Sequence, residues 1–198
     1  MTASHSSPTT WQVRLSGRLT RIQRYWMKRP GALTAGLRSL GRFDLRVGRE
    51  YAEGARAVEA LALECPVGTP VWVREVVMSV DGIDCVSARS ITPLAASHGV
   101  WSGIRRLNTR PLADMLYGDS DIRRSLFEWC QLGFADPFWK AARLNTKKLT
   151  PPATRPTERT KSAPQLLARR SVFWRRGQPL LVAECFLPEF WKIAQLPR

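Results

Sequence analysis

Two apolar segments of this chain each carry one charged residue where a buried strand is expected. The first, residues 71–78, contains Arg74, and the second, residues 179–187, contains Glu184. Side chains alternate between the two faces of a strand, and in both segments the two faces are largely apolar. Neither charge has an obvious face exposed to water. Each therefore needs a partner, because an unpaired buried ion costs several kcal/mol.

This pattern has two interpretations. In the first, Arg74 and Glu184 are partners in a structural ion pair within the core. In the second, they are the cationic and acidic ends of one small closed site, and a polar ligand completes the pairing. The residue pattern alone leaves both interpretations open.

Five short motifs, in this order, resemble the chorismate pyruvate-lyase family. They are Val71-Trp72-Val73-Arg74-Glu75, the hairpin from Asp81-Gly82 to residues 87–93, Arg110-Pro111-Leu112, residues 175–181, and residues 184–188. Members of this family convert chorismate into 4-hydroxybenzoate and pyruvate at the start of bacterial ubiquinone synthesis. The resemblance covers roughly residues 30–191 apart from one insertion. It implies a sheet of about six strands, with flaps over a buried ligand site.

The resemblance also implies roles for four residues. Arg74 would hold a substrate carboxylate, for which its planar fork of donors is suited, and Glu184 would meet the ring hydroxyl at the other end. Backbone groups of Leu33 and Leu112, in the two flaps, would complete the contacts. Without the resemblance, both leucines would be interpreted as packing residues at helix starts.

Arg89 is a further candidate. It shares a strand face with Ser87 and Ile91, and it could serve the second carboxylate of the substrate or an entry site. The alternative is an ordinary ion pair with Glu75 or Asp84.

The cysteines and histidines do not form a pattern typical of a metal site. The four cysteines are far apart in sequence, without a Cys-x-x-Cys motif, and the only histidines are His5 and His98. We therefore predict reduced, buried thiols and neither a metal nor a cofactor. His98 has no evident Asp or Ser partner and is expected to be an exposed turn residue rather than a general base.

The net charge of +15 favours anionic partners in general. The basic residues are dispersed and do not form one recognisable nucleic-acid-binding motif, so a solvated basic surface is the default interpretation. If the basic surface has a function, it is to create a positive electrostatic field that attracts a small dianionic substrate. A nucleic-acid-binding protein and a non-catalytic ligand-sensing domain on the same fold are the alternative functions.

The chain divides into two regions. Residues 1–29 are expected to form a polar tail and a basic amphipathic helix at 11–27, which packs on its own domain or lies on a membrane or partner surface. Residues 30–198 are expected to form a lyase-like domain with a basic loop inserted at about 145–165. Neither a signal peptide nor a long apolar stretch is visible, which predicts a cytoplasmic protein, expected to be monomeric.

Within the domain, alternating and helical spacings predict an α+β fold whose antiparallel sheet is packed by helices on one face. The expected strands are 43–47, 70–79, 84–92, 169–175 and 178–187, with tight turns at Asp81-Gly82 and Arg176-Gly177. The expected helices are 33–40, 99–107, 110–117 and 121–132.

Overall fold

A computed structural model describes residues 10–134, 136–146 and 166–195. The expected tail at 1–9 and nearly all of the expected basic loop at 145–165 lie outside these residues. The helices are α1 (Arg21–Lys28), α2 (Leu33–Arg38), α3 (Ala57–Ala62), α4 (Leu94–His98), α5 (Ala113–Leu116), α6 (Pro137–Asn145) and α7 (Phe190–Ile193), with a 3-10 helix at Ser102–Arg106. The strands are β1 (Phe43–Gly54), β2 (Pro70–Val80), β3 (Ile83–Pro93), β4 (Arg123–Arg124), β5 (Glu128–Leu132), β6 (Leu166–Arg175) and β7 (Gln178–Phe186).

The described strands form one antiparallel sheet of seven strands in the order β1-β2-β3-β7-β6-β4, and β5 also pairs with β6. The α+β antiparallel fold is therefore confirmed, with seven strands where about six were expected. Both predicted tight turns are present. Asp81 and Gly82 have φ values of 49° and 77°, and Arg176 and Gly177 have 48° and 73°, as two-residue hairpin turns require.

Helices cover both faces of the sheet, and the prediction of helices on one face is wrong. Trp26 of α1 and Leu37 of α2 pack with Met78 and Phe186 on one face. On the other face, α3 packs against the odd-numbered residues of β2, and α6 packs against Ala183 and Cys185 of β7. The reason is that the central strands are apolar on both sides, so each face needs a cover.

The segment 121–132, predicted as a helix, contains β4 and β5 instead. Trp129 and Cys130 are adjacent in sequence but are buried in clusters on opposite faces of the sheet, which only an extended chain allows. Pairing with β6, in which Trp129 lies opposite Arg169, overrides the apparent helical spacing.

The predicted helix at 11–27 is wrong in its first half. Gln12 pairs with Trp129 through two backbone hydrogen bonds of 2.9 Å, so this part of the chain is extended. The helix starts after Thr20, whose hydroxyl accepts from the N–H of Gln23 while the Gln23 side chain accepts from the N–H of Thr20. Trp26 is buried against the domain.

Between β3 and β4, regular helix is shorter than expected. The predicted helix at 99–107 is a 3-10 helix at Ser102–Arg106, and the predicted helix at 110–117 is reduced to Ala113–Leu116. No helix within the described ranges is long and apolar enough to span a bilayer.

Candidate active site

One face of the sheet carries a partly enclosed cavity. Its floor consists of residues of β2, β3, β7 and β6, and its cover consists of two segments, 31–34 and 111–117. Its lining includes Leu33, Arg74, Ser90, Leu112, Tyr117, Arg124, Phe127, Arg169 and Glu184. The cavity thus contains both charged residues that the sequence singled out.

Strand register brings Arg74 and Glu184 to the same face. Arg74 lies opposite Ser90 on β3, and Ser90 lies opposite Val182 on β7, two residues before Glu184. The two Cα atoms are therefore separated by about 10 Å across the strands and about 7 Å along them. Both side chains line the same cavity.

Arg74 is buried, with 2% exposure, and it has partners in two different parts of the chain. Its Nη1 donates to Glu50 Oε1 at 2.6 Å, and the Glu50 side chain is 30% exposed. Its Nη2 donates to the carbonyl oxygen of Asn108 at 2.5 Å and to that of Arg110 at 3.4 Å. These carbonyls belong to residues one and three positions before Pro111, so Arg74 holds the base of the second covering segment.

Glu184 is paired with Arg169 on the neighbouring strand. The Nε of Arg169 donates to Glu184 Oε2 at 2.6 Å, and the two residues lie directly opposite each other in the β6-β7 hairpin. Arg74 and Glu184 are therefore not each other's partners. The interpretation that they form one structural ion pair is wrong. Each of the two charged side chains lines the cavity and is paired with its own counter-ion.

Both predicted backbone positions lie in the cover of the cavity. Leu33 is the first residue of α2, where a backbone N–H has no acceptor within its own helix. Leu112 immediately precedes α5 and lines the cavity beside Pro111. The structure thus brings Leu33, Arg74, Leu112 and Glu184 together around one space.

Arg89 lies on the opposite face of the sheet, so its expected contact with the second carboxylate must be corrected. Its guanidinium donates to Glu59 at 3.0 Å and to Glu75 at 2.7 Å, and it also contacts Glu53 and the hydroxyl of Tyr51. The alternative prediction, an ion pair with Glu75, is confirmed. Arg89 instead lines a separate cavity behind the sheet.

A β-bulge explains the position of Arg89. The β2-β3 pairing shifts by one residue between Met78 and Ser79, with Cys85 as the extra residue on β3. Without this shift, the two-residue turn at Asp81-Gly82 would place Arg89 opposite Arg74, on the cavity face. With it, Arg89 lies opposite Glu75.

A third guanidinium lies at the mouth of the cavity. Arg124 of β4 is exposed and donates to the hydroxyl of Tyr117 at 2.9 Å, which joins β4 to the end of the second covering segment. Its Cζ lies 4.3 Å from the centre of the Phe127 ring. Within the described ranges, no carboxylate forms an ion pair with Arg124, in contrast to Arg74 and Arg169.

The thiols and His98 lie away from this chemistry. Burial raises the pKa of Cys85 to about 11, and burial also raises the pKa of Cys130 and of Cys185, which keeps these thiols neutral. His98 is exposed at the end of α4. No group of metal-ligating side chains occurs among the residues that the structure describes.

Sequence reasoning missed Arg169, Glu50 and Arg124. A signal for Arg169 was present, because the two-residue turn at Arg176-Gly177 pairs Arg175 with Gln178, and counting back along both strands reaches Arg169 opposite Glu184. Glu50 was harder to find, because the β1-β2 register shifts at Gly48, between Val47 and Arg49.

The family and the relatives that this chain resembles agree with each other, and the matches cover nearly the whole chain. Residues 7–196 match the family model described as Chorismate lyase. The "Probable chorismate pyruvate-lyase" of Bordetella avium (strain 197N) is 54% identical, with 100% of this chain and 94% of that protein covered. The "Probable chorismate pyruvate-lyase 1" of Pseudomonas entomophila (strain L48) is 40% identical, with 87% of this chain and 86% of that protein covered.

A solved structure also shares the fold. The C-terminal domain of the histidine utilization repressor from Pseudomonas syringae pv. tomato str. DC3000 aligns with a TM-score of 0.51 and 15% identity, over 79% of this chain and 97% of that chain. At this identity the likeness concerns the fold alone.

Proposed function

The chain belongs to the chorismate lyase family, and from this premise we propose that it converts chorismate into 4-hydroxybenzoate and pyruvate, the reaction that the family supplies to ubiquinone biosynthesis. The observation that carries the proposal is the arrangement of Arg74 and Glu184 on one sheet face, at two ends of one covered cavity. This space suits a flat ring acid with a hydroxyl group opposite its carboxylate.

The reaction needs one bond cleavage and one proton transfer. The bond between the ring carbon and the enolpyruvyl oxygen breaks, and the oxygen leaves with the electron pair. The ring carbon that bears the hydroxyl loses its hydrogen as a proton, and the enolpyruvate takes up a proton to become pyruvate. The ring becomes aromatic, so positioning, exclusion of water and stabilisation of charge on the leaving oxygen are what the protein must supply. None of these needs a metal or a cofactor.

In the proposed complex, Arg74 binds the ring carboxylate. Its Nη atoms are held by Glu50 and by the carbonyl of Asn108, while its Nε has no acceptor among the described residues. The guanidinium is therefore fixed in place before the ligand arrives, and it retains a donor for it. A charge-assisted bond of this kind orients the ring and adds affinity.

Glu184 accepts a hydrogen bond from the ring hydroxyl at the opposite end. Oε2 is occupied by Arg169, and Oε1 is the oxygen that remains for the ligand. The backbone groups of Leu33 and Leu112 contribute from the two covering segments, which act as flaps. A backbone amide donates whatever its side chain is, so leucine is suitable at both positions.

The enolpyruvyl carboxylate is assigned to Arg124, in place of Arg89. Arg124 lines the mouth of the cavity and has a hydrogen bond to Tyr117, with no carboxylate partner in the described part of the chain. Its exposure lets it meet an incoming dianion first. The position near the mouth also suits the part of the substrate that leaves as pyruvate.

The cellular setting stays a prediction. We expect a monomeric cytoplasmic enzyme, and only weak contact between an anionic membrane surface and the exposed basic residues of α1, Arg21, Arg24 and Lys28. Sedimentation of the purified protein, alone and with anionic vesicles, measures both the mass and the contact.

One assay tests the proposed function. Purified protein is incubated with chorismate and without added metal, beside a sample without protein, and the two products are quantified. We expect 4-hydroxybenzoate and pyruvate in equal amounts. Tight binding of 4-hydroxybenzoate without turnover would favour the ligand-sensing alternative, and steep salt-sensitive binding of a polyanion without turnover would favour the nucleic-acid alternative.

A further inference from the structure

Arg169 connects the acidic end of the cavity to the segment that leads into the first flap. It is 1% exposed, and its Nε donates to Glu184 Oε2 at 2.6 Å. Its Nη1 donates to the carbonyl of Trp26 at 2.9 Å and to that of Arg29 at 3.1 Å. One planar guanidinium thus touches both the predicted ligand-binding carboxylate and the end of α1.

The end of α1 needs such a donor. The last carbonyls of a helix have no partner within the helix and form its negative end, which a buried cation stabilises. The chain then continues through Pro30 into Gly31 and Leu33, which line the cavity. Any movement of Arg169 therefore moves the start of this flap as well as Glu184.

An aromatic ring helps to fix the plane of the guanidinium. The Cζ of Arg169 lies 4.3 Å from the centre of the Phe127 ring, and Phe127 itself lines the cavity. Arg124 lies at the same 4.3 Å from this ring. A ligand that contacts Phe127 would therefore also stabilise the orientation of Arg169.

We propose that Arg169 is a positioning residue that orients Glu184 toward the ring hydroxyl and couples occupation of the cavity to closure of the first flap. This inference rests on the proposed function for the identity of the ligand. Its competitor is a purely structural role, in which Arg169 only neutralises a buried carboxylate. The chain contains a matched control that separates these two roles.

Arg170 is that control. It is the next residue on β6 and is 6% exposed, but it points to the other face of the sheet. Its Nε donates to Glu128 Oε2 at 2.7 Å, and its Nη1 donates to the carbonyl of Val58 at 3.2 Å. Burial, strand, counter-ion type and carbonyl contact are thus similar to those of Arg169, but Arg170 lines the separate cavity behind the sheet and not the one that contains Glu184.

The experiment compares Arg169→Met, Arg169→Lys and Arg170→Met in the full chain. Hydrogen exchange of residues 26–34 is followed with and without 4-hydroxybenzoate, and chorismate turnover and product affinity are measured. We expect Arg169→Met to lower kcat and weaken product binding by about 10- to 100-fold, the usual effect of losing a hydrogen bond to a charged group. Arg169→Lys should restore part of the turnover, but not the product-induced protection of residues 26–34, because a single ammonium cannot span both contacts.

In the Arg170→Met protein, chorismate turnover and affinity for 4-hydroxybenzoate are both expected to stay within about 3-fold of the parent values. Equal losses for the Arg169→Met and Arg170→Met proteins, at equal thermal stability, would overturn the proposal and leave a structural role.

If Arg169→Met fails to fold, the double variant with Glu184→Gln removes the uncompensated charge. Product affinity in the double variant should then fall below that of Glu184→Gln alone, because the contact of Arg169 with the first flap is lost as well, and an equal affinity would contradict the coupling to the flap.

A failure of the proposed function can be distinguished from a failure of the inference about Arg169. If the parent protein forms no 4-hydroxybenzoate from chorismate, the enzymatic assignment fails. Hydrogen exchange in the free protein still decides whether Arg169 holds the first flap, because it needs no substrate. Faster hydrogen exchange of residues 26–34 in Arg169→Met than in Arg170→Met would support the role of Arg169 in holding the first flap, and equal exchange would overturn it.

Discussion

The two faces of the central sheet both contain a buried arginine on neighbouring strands, yet they use it differently. On the back face, Arg89 directs its Nε, Nη1 and Nη2 at three glutamates and a tyrosine. On the cavity face, Arg74 has one partly exposed glutamate and two backbone carbonyls just before the second flap. Burial and charge are alike, so neither property identifies the functional residue.

What differs is how completely the guanidinium is occupied by fixed partners. Burial lowers the pKa of Arg89, but the interactions with Glu59 and Tyr51 together more than compensate, and the pKa of Arg89 is raised overall. Fixed side chains accept four hydrogen bonds from its five N–H donors, so Arg89 is held in place on the back face. Arg74 is also held, by Glu50 and the carbonyl of Asn108, but its Nε has no acceptor among the described residues and remains available to a ligand.

The largest effect should come from breaking the back-face network. Replacing Arg89 by Met leaves Glu75, with 3% side-chain exposure, beside two other carboxylates without their cation. We expect a loss of about 3–5 kcal/mol in the free energy of unfolding, as for other buried pairs that lose one partner. Denaturant unfolding measures this loss. The matched Arg74→Met change should lower the free energy of unfolding clearly less, because the Glu50 side chain can turn to water. Equal losses would show that the two arginines do not differ in this way.

The next largest effect concerns turnover. Arg74→Gln and Glu184→Gln each remove one end of the proposed ligand contacts, and each should lower turnover by about 30- to 1000-fold, or 2–4 kcal/mol in the transition state. Steady-state kinetics on protein with an unchanged circular dichroism spectrum measures it. Near-normal turnover in either variant would remove that residue from the catalytic machinery.

A smaller effect should follow from changing the counter-ion of Arg74. Glu50→Gln removes a carboxylate that competes with the ligand for the same guanidinium. Because the pair is partly exposed, its strength is about 1 kcal/mol or less, so 4-hydroxybenzoate should bind up to about 5-fold more tightly. Calorimetric titration checks this. Weaker binding would instead mean that the glutamine amide cannot replace the Glu50 carboxylate in holding Arg74 in position.

The smallest effect concerns the thiol at the bulge. Cys85 is buried and has a pKa raised to about 11, so at pH 8 only about one molecule in a thousand carries the thiolate there. Half-buried Cys65 should react first with a disulfide reagent, and Cys85 only after denaturant is added. Fast labelling of Cys85 in the native protein would show that the bulge opens.

Sequence patterns predicted the parts of this fold that depend on local rules. The turns at Asp81-Gly82 and Arg176-Gly177 follow from residues that tolerate positive φ. Alternation along β2 and β7 then placed Arg74 and Glu184 on apolar strand faces, and the resemblance to the family placed Leu33 and Leu112 in the cover.

The remaining features depend on contacts between distant segments. One extra residue on β3, at Cys85, moves Arg89 to the back face, and nothing in the local sequence marks it. The segment with Trp129 and Cys130 has spacing compatible with a helix or a strand, and only its pairing with β6 decides. Glu50 becomes visible as a partner of Arg74 only when the register of β1 is known.

A crystal structure of the protein with 4-hydroxybenzoate tests the central claim most directly, because it asks which face of the sheet binds the ligand. We expect the carboxylate of the product within about 3 Å of the Arg74 guanidinium, and the phenol oxygen at a similar distance from Glu184. Arg89 should keep its three glutamates. A ligand bound behind the sheet near Arg89, or one with its carboxylate turned toward Glu184, would show that the assigned site or its orientation is wrong.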